Sequence, residues 1–126
     1  MKTKIYYHHT DCGGVVYYAN YLKFFEEART EYFKDKGFSI KELADSGTMF
    51  VVSRQEIDYK YPSAYADILD IKTSIPEMSG VRIIFEHEIL NQNSKVIVKG
   101  RTTLVCVDSK LKPKAIPEEI RKKLTL

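Results

Sequence analysis

The chain lacks a long apolar run, a concentrated basic segment and a cysteine framework. None of its 126 residues belongs to an apolar stretch long enough for a signal peptide or a membrane span, so we expect a cytoplasmic protein with no membrane span. The 20 Lys and Arg and the 17 Asp and Glu are well mixed, which does not indicate nucleic-acid binding. Cys12 and Cys106 lie far apart, so neither a disulfide framework nor a zinc-binding spacing is predicted.

The sequence also has no internal repeat, low-complexity tract or linker-like segment. We therefore predict a single domain over residues 1–126. Hydrophobic residues make up 44% of the chain and charged residues 29%, as in ordinary globular proteins. Because a domain of this size is small for a site that binds a sizeable ligand, we expect a homo-oligomer.

The first half of the chain predicts a strand, a turn and a long helix. Residues from Lys2 to His8 are typical of a short strand, and the following "TDCGG" favours a turn. In "YYANYLKFFEEARTEYFKDKG" the apolar residues recur at helical spacing, and Gly37 is a plausible helix end. The predicted apolar stripe comprises Tyr18, Tyr21, Leu22, Phe25, Ala28, Tyr32 and Phe33.

The second half predicts mainly strands. Ser39 is placed as the N-cap of a short helix in "SIKELADSG". Four segments rich in β-branched and aromatic residues then alternate with short polar turns, which predicts an antiparallel meander. Pro117 marks the start of a final short helix. The result is an α+β arrangement with one long helix packed on a curled sheet; the four strand segments are "MFVVSRQEIDYKY", "DILDIKTSI", "VRIIFEHEIL" and "KVIVKGRTTLVCVD".

Several segments, in order along nearly the whole chain, resemble one family. "YYHHTDCGGVVYYANYLKFFEEART", "IDYKYPSAYADILDIKT", "SGVRIIFEHEI" and "KAIPEEIRKKL" are similar to hotdog-fold acyl-CoA thioesterases of the YbgC / 4-hydroxybenzoyl-CoA thioesterase group. The resemblance implies a long central helix wrapped by a five-stranded antiparallel sheet. It also implies an acyl-CoA substrate and two subunits that share active sites at their interface. We expect a homodimer or homotetramer and no cofactor, and acyl carrier protein is the alternative to coenzyme A as the carrier of the acyl group.

Asp11 and Tyr18 are the candidate catalytic residues. A carboxylate can activate water or attack a thioester directly, although an Asp before a helix can also simply cap it. The resemblance makes Asp11 the catalytic carboxylate, as general base or nucleophile. It assigns to the Tyr18 backbone N–H the polarisation of the thioester carbonyl, since unpaired N–H groups at a helix start favour negative charge.

The candidate substrate-binding residues are Gly13, Gly14, Val16, Asn20, Ser79 and Arg82. The two glycines allow a tight turn and leave room for a ligand, and a turn requirement alone also explains them. The amide of Asn20 can instead fix the loop or the helix start. Arg82, with Ser79 nearby, is the candidate for the coenzyme phosphates, and ordinary surface charge is the alternative.

His8, His9 and Cys12 raise other possibilities beside Asp11. Many relatives carry acidic residues, often "EDTD", where this chain has the histidines. Neighbouring residues on a strand point to opposite faces, so we predict no metal site there, but a charged imidazolium would favour the Asp11 carboxylate. Cys12 is a further candidate for a nucleophile, but the sequence shows no separate base that would activate its thiol. A hotdog hydratase or dehydratase, and a non-catalytic module that binds acyl chains or acyl carrier protein, are the alternative functions.

Overall fold

A computed structural model describes residues 1–125, which form five strands, three α-helices and one 3-10 turn. The first strand is followed by the 3-10 turn at Tyr7–His9, then by two helices, four long strands and a last helix. Among these residues no helix is both long enough and apolar enough to cross a membrane. The elements are β1 (Lys2–Lys4), α1 (Asn20–Asp35), α2 (Ile40–Asp45), β2 (Met49–Tyr59), β3 (Ile68–Met78), β4 (Arg82–Leu90), β5 (Val96–Val107) and α3 (Glu118–Leu124).

The helices follow their local sequence signals. The long helix α1 has 16 residues, about 24 Å, and begins two residues after Tyr18, later than predicted. Gly37 follows its end with φ +92°, a left-handed conformation that suits glycine. Ser39 caps α2 as predicted, because its side chain accepts a hydrogen bond from the Glu42 N–H. Pro117 is the N-cap residue of α3.

The sheet is antiparallel with strand order β1-β3-β4-β5-β2. Strands β3, β4 and β5 form the predicted meander, but β2 does not neighbour β3: it crosses to the far edge and pairs with β5. Strand β3 also runs on through Met78, with an irregularity between Ser74 and Glu77, where a turn was predicted. The predicted first strand ends at Lys4, and His8 lies in the 3-10 turn.

The core lies between α1 and one face of the sheet. Phe25 of α1 is fully buried, and a methyl group added at Gly100 of β5 would meet its ring at 2.4 Å. Glycine therefore lets the middle of α1 approach the sheet closely. The predicted stripe is wrong at its start, because Tyr18 is 60% exposed and Leu22 40% exposed, whereas Phe24 is buried. Cys106 is buried in β5, as predicted.

Polar side chains lie buried beneath α1. His87 of β4 stacks on Phe25 with a centroid separation of 4.6 Å, and its Nδ1 lies 3.1 Å from the Thr73 hydroxyl. Its Nε2 is buried without a hydrogen-bond partner among the described residues. The buried Arg29 of α1 lies 3.4 Å from the Thr102 hydroxyl. Burial, reinforced by the charge of Arg29, lowers the pKa of His87 to about 3.

Candidate active site

Asp11 begins a tight turn that precedes α1. Its N–H donates to the Val15 carbonyl at 2.9 Å, and its carbonyl accepts from the Gly14 N–H at 3.0 Å. The carboxylate Oδ1 accepts the Gly13 N–H at 2.8 Å, while the residue as a whole stays exposed. Gly14 has φ +81°, which explains glycine there by backbone geometry. The turn therefore presents a carboxylate to solvent in a fixed orientation.

The carbonyl of His9 joins this turn to α1. It accepts the Tyr17 N–H at 2.9 Å and the Asn20 side-chain amide at 2.8 Å. Asn20 is buried at the first position of α1. Since His9 is two residues before Asp11, these two bonds hold the start of the helix against the segment that carries the carboxylate. The Asn20 amide therefore has a structural partner within the chain.

Tyr18 lies in the turn between Tyr17 and α1. The Asn20 N–H donates to the Tyr17 carbonyl at 2.9 Å, which closes this turn, while the Tyr18 N–H donates to no group among residues 1–125. A free N–H at the start of a 16-residue helix lies at the positive end of the helix dipole. The backbone here can therefore donate to a ligand oxygen.

A cleft of about 280 Å³ opens beside Tyr18. Tyr21 lines this cleft; its phenol lies 2.7 Å from the Ser63 hydroxyl, and both residues are buried. Burial raises the pKa of Tyr21. The Tyr59 ring packs against Tyr18 and Tyr21 at centroid separations of 6.2 and 5.9 Å. Four tyrosines contribute to the walls, which consist of Val16, Tyr18, Tyr21, Tyr59, Lys60, Tyr61 and Pro62.

Comparison with known proteins identifies the family of this site. The sequence model of one protein family, the thioesterase-like superfamily, matches residues 7–124 of the chain. The chain belongs to the thioesterase-like superfamily. It is therefore an enzyme that hydrolyses thioesters, and the predicted family and enzyme class are confirmed.

Relatives and a solved structure support this assignment. The acyl-CoA thioesterase YbgC of Haemophilus influenzae is 39% identical over 123 residues, which cover 96% of this chain and 90% of that protein. The acyl-CoA thioester hydrolase YbgC of Escherichia coli O6:H1 is 38% identical over 118 residues, 93% and 88% of the two chains. A crystal structure of a probable thioesterase from Bartonella henselae has a TM-score of 0.87 with 34% identity, over 93% of this chain and 97% of that one. The hotdog fold is likewise confirmed.

The histidines of this thioesterase differ from their predicted arrangement. Because they lie in a 3-10 turn and not on a strand, the rings of His8 and His9 are neighbours, with centroids 3.9 Å apart. His9 Nδ1 accepts a hydrogen bond from the Tyr6 N–H at 2.8 Å. Burial, and to a smaller extent the charges of His8 and Lys23, lower the pKa of His9. Residues 1–125 contain no group of three His, Cys, Asp or Glu side chains suited to a metal ion.

The predicted phosphate contacts lie far from the Asp11 turn within one chain. Arg82 pairs with Val105, whereas Ile89 pairs with Val98, which in turn pairs with Tyr59 at the cleft. The seven residues from Arg82 to Ile89 correspond to about 23 Å along the sheet. Ser79 forms a tight turn with Arg82, since its hydroxyl accepts the Arg82 N–H at 3.1 Å. Both belong to the opposite end of the sheet.

The cleft residues of β2 and the segment after it were missed as site residues. Tyr59, Lys60 and Tyr61 follow one another in "DYKYPS", where the sequence indicated only the end of a strand. Their relation to Tyr18 depends on the pairing of β2 with β5 and on the bridge between Val15 and Ala64. The tyrosine-rich composition around Pro62 was the available signal.

Proposed function

We propose that this thioesterase hydrolyses acyl-CoA, with Asp11 as general base or nucleophile and the Tyr18 N–H as the donor to the thioester carbonyl oxygen. In the general-base route Asp11 takes a proton from water, the resulting oxygen adds to the carbonyl carbon, and the carbon–sulfur bond breaks. The leaving thiolate takes up the proton, which gives a free acid and CoA. An oxyanion donor of this kind is typically worth about 3 to 4 kcal/mol.

The main support for this proposal is the pair of hydrogen bonds that the His9 carbonyl accepts. One hydrogen bond from Tyr17 and one from Asn20 fix the exposed Asp11 turn to the start of α1, where the Tyr18 N–H has no partner among residues 1–125. A carboxylate and an N–H donor on opposite ends of one short, braced segment can act on the same carbonyl group. Val16 lies between them in sequence and lines the cleft, so we place the acyl group against it.

Asp11→Asn tests the catalytic role. Asn keeps an oxygen for the Gly13 N–H, so the turn survives, while the base or nucleophile is lost. We expect thiol release from acyl-CoA to fall by at least about 100-fold, the lower end for loss of general acid–base catalysis. Asp108→Asn is the matched control, because Asp108 also accepts backbone N–H groups in a turn, those of Lys110 and Lys112. Normal turnover by Asp11→Asn with the fold intact would contradict the assignment.

Isotope labelling distinguishes the two roles of Asp11. A single turnover in ¹⁸O-labelled water places the label directly in the acid if water attacks. If the Asp11 carboxylate attacks, the thiolate leaves and an acyl–Asp11 anhydride forms; water that cleaves this anhydride at the Asp11 carbonyl puts the label in Asp11, and the acid leaves with an unlabelled oxygen from the enzyme. Label in Asp11 after one turnover is therefore the result that shows attack by the carboxylate.

We also propose a homodimer or homotetramer. Strand β2 has 11 residues, and its outer edge pairs with no other strand among those described. Val52 on this strand is 51% exposed. An edge of this length readily pairs with a second copy. Light scattering after size exclusion should give a mass of two or four chains, and Val52→Lys should lower it; a monomeric wild type would refute this. A cytoplasmic location, a single domain over residues 1–126 and acyl carrier protein as partner stay predictions.

A further inference from the structure

We infer that Lys60 and Lys95 bind the phosphate of the phosphopantetheine arm that carries the acyl group, an inference that rests on the proposed thioester hydrolysis. This phosphate chemistry is shared by acyl-CoA and by an acyl carrier protein. Lys60 lines the cleft beside Tyr18, and the Lys95 ammonium lies 3.6 Å from the centroid of the Tyr61 ring at the same cleft. The site thus lies at the same end of the sheet as the Asp11 turn.

The charges around the cleft favour an anion. Both lysines are exposed, and neither forms an ion pair with another described residue. The residues that line the cleft include no carboxylate. The contact with Tyr61 holds the Lys95 ammonium in place through a cation–π interaction, which leaves its N–H groups able to donate. The main chain beneath is also fixed, since the N–H groups of Lys60 and Tyr61 both donate to the Ile97 carbonyl, at 2.8 and 3.1 Å.

Tyr18 and Lys95 are connected through the tyrosine rings of the same cleft. The rings of Tyr18 and Tyr59 are 6.2 Å apart, and the Lys95 ammonium lies 3.6 Å from Tyr61. About thirteen bonds separate the sulfur of a pantetheine thioester from its first phosphorus, which corresponds to roughly 14 to 16 Å when extended. We therefore place an arm that starts from a thioester at the Tyr18 N–H along this cleft, with its phosphate at Lys60 and Lys95.

Arg82 is the competing site. It lies at the opposite end of the sheet within one chain, so it could reach the phosphate of this cleft only from another subunit. The two arrangements differ in which substitutions affect phosphate-dependent binding.

The test compares substrates with and without phosphate. KM is measured for an acyl-CoA, for the matching acyl-phosphopantetheine and for the matching N-acetylcysteamine thioester, which has no phosphate. Lys60→Gln with Lys95→Gln should raise KM about three- to tenfold for the first two substrates at low salt and leave the third unchanged, with kcat preserved throughout. High salt should shrink the effect. Lys110→Gln, an exposed lysine in the turn after β5, is the matched control.

Calorimetric titration with CoA keeps this test separate from catalysis. If no acyl-CoA is hydrolysed, the proposed function fails, yet a weaker CoA affinity in the double variant would still support the lysine site. An effect on acyl-CoA but not on acyl-phosphopantetheine would place the lysines at the nucleotide phosphates of CoA and overturn the inference. It is also overturned by an equal rise in KM for the N-acetylcysteamine thioester, by unchanged CoA binding, or by a selective loss in Arg82→Gln alone.

Discussion

Buried His87 should make this thioesterase sensitive to acid. Its pKa is lowered from 6.5 to about 3 by burial and by the nearby charge of Arg29. As the pH falls below 6.5, the unfolded chain binds a proton at this position, whereas the folded protein does not until about pH 3. The stability contributed by neutral His87 is thus complete above 6.5 and is lost as the pH falls through that window.

The pKa values set the size of this effect. One pKa unit corresponds to about 1.4 kcal/mol, so the full window is worth about 5 kcal/mol, of which about 2 kcal/mol is lost between pH 7 and pH 5. That is a substantial part of the stability of about 5 to 15 kcal/mol typical of a small protein. The contact of His87 with Thr73 does not offset the loss, because burial disfavours the charged ring.

Urea unfolding at pH 7, 6 and 5 measures the difference. His87→Asn keeps a polar atom near the Thr73 hydroxyl but cannot titrate in this range, so it should remove about 2 kcal/mol of the pH 7 to pH 5 loss whatever its stability at pH 7. His8→Asn is the control, since His8 is exposed. If the wild type and His87→Asn lose equal stability between pH 7 and pH 5, the reasoning is wrong.

Three further substitutions test how the site is held. Asn20→Ala removes one of the two bonds to the His9 carbonyl, so kcat should fall about 5- to 150-fold, the effect of about 1 to 3 kcal/mol, with KM nearly unchanged in steady-state assays. Gly100→Ala should lower the free energy of unfolding by about 1 to 3 kcal/mol in urea, and Phe25→Leu in the same chain should recover part of it. Gly14→Ala should cost about 1 to 2 kcal/mol through its positive φ alone, because no atom lies within 4 Å of the added methyl; full stability and activity would contradict this.

Local signals predicted most elements of the fold. The Ser39 cap, the Pro117 helix start and the strand segments of the second half are each encoded within a few neighbouring residues, so they could be read directly. The place of β2 at the sheet edge could not, since strand order depends on contacts between distant segments. The same limit explains why Phe24, which is buried, was missing from the predicted apolar stripe. Helical spacing alone does not show which side of α1 the preceding turn directs toward the sheet.

The candidate site likewise has a part that local sequence predicted and a part that depends on contacts between distant segments. Asp11 and Tyr18 lie in one continuous motif, so the resemblance could single them out. The strand predicted through His8 was wrong because the Tyr6 N–H bonds to the His9 ring and closes a 3-10 turn instead. Lys60 and Lys95 are 35 positions apart in sequence, and only the pairing of β2 with β5 brings their segments together. No local pattern marks such a pair.

The middle of α1 and its start are held by different forces. Phe25 against Gly100 and His87 fixes the middle through close packing, which resists change in every direction. The start depends on directed hydrogen bonds to one carbonyl, that of His9, and is surrounded by exposed tyrosines. Packing therefore sets where the helix lies, while two hydrogen bonds set the orientation of the Tyr18 N–H and the Asp11 turn. Core substitutions should change stability before chemistry, and Asn20 substitutions should change chemistry before stability.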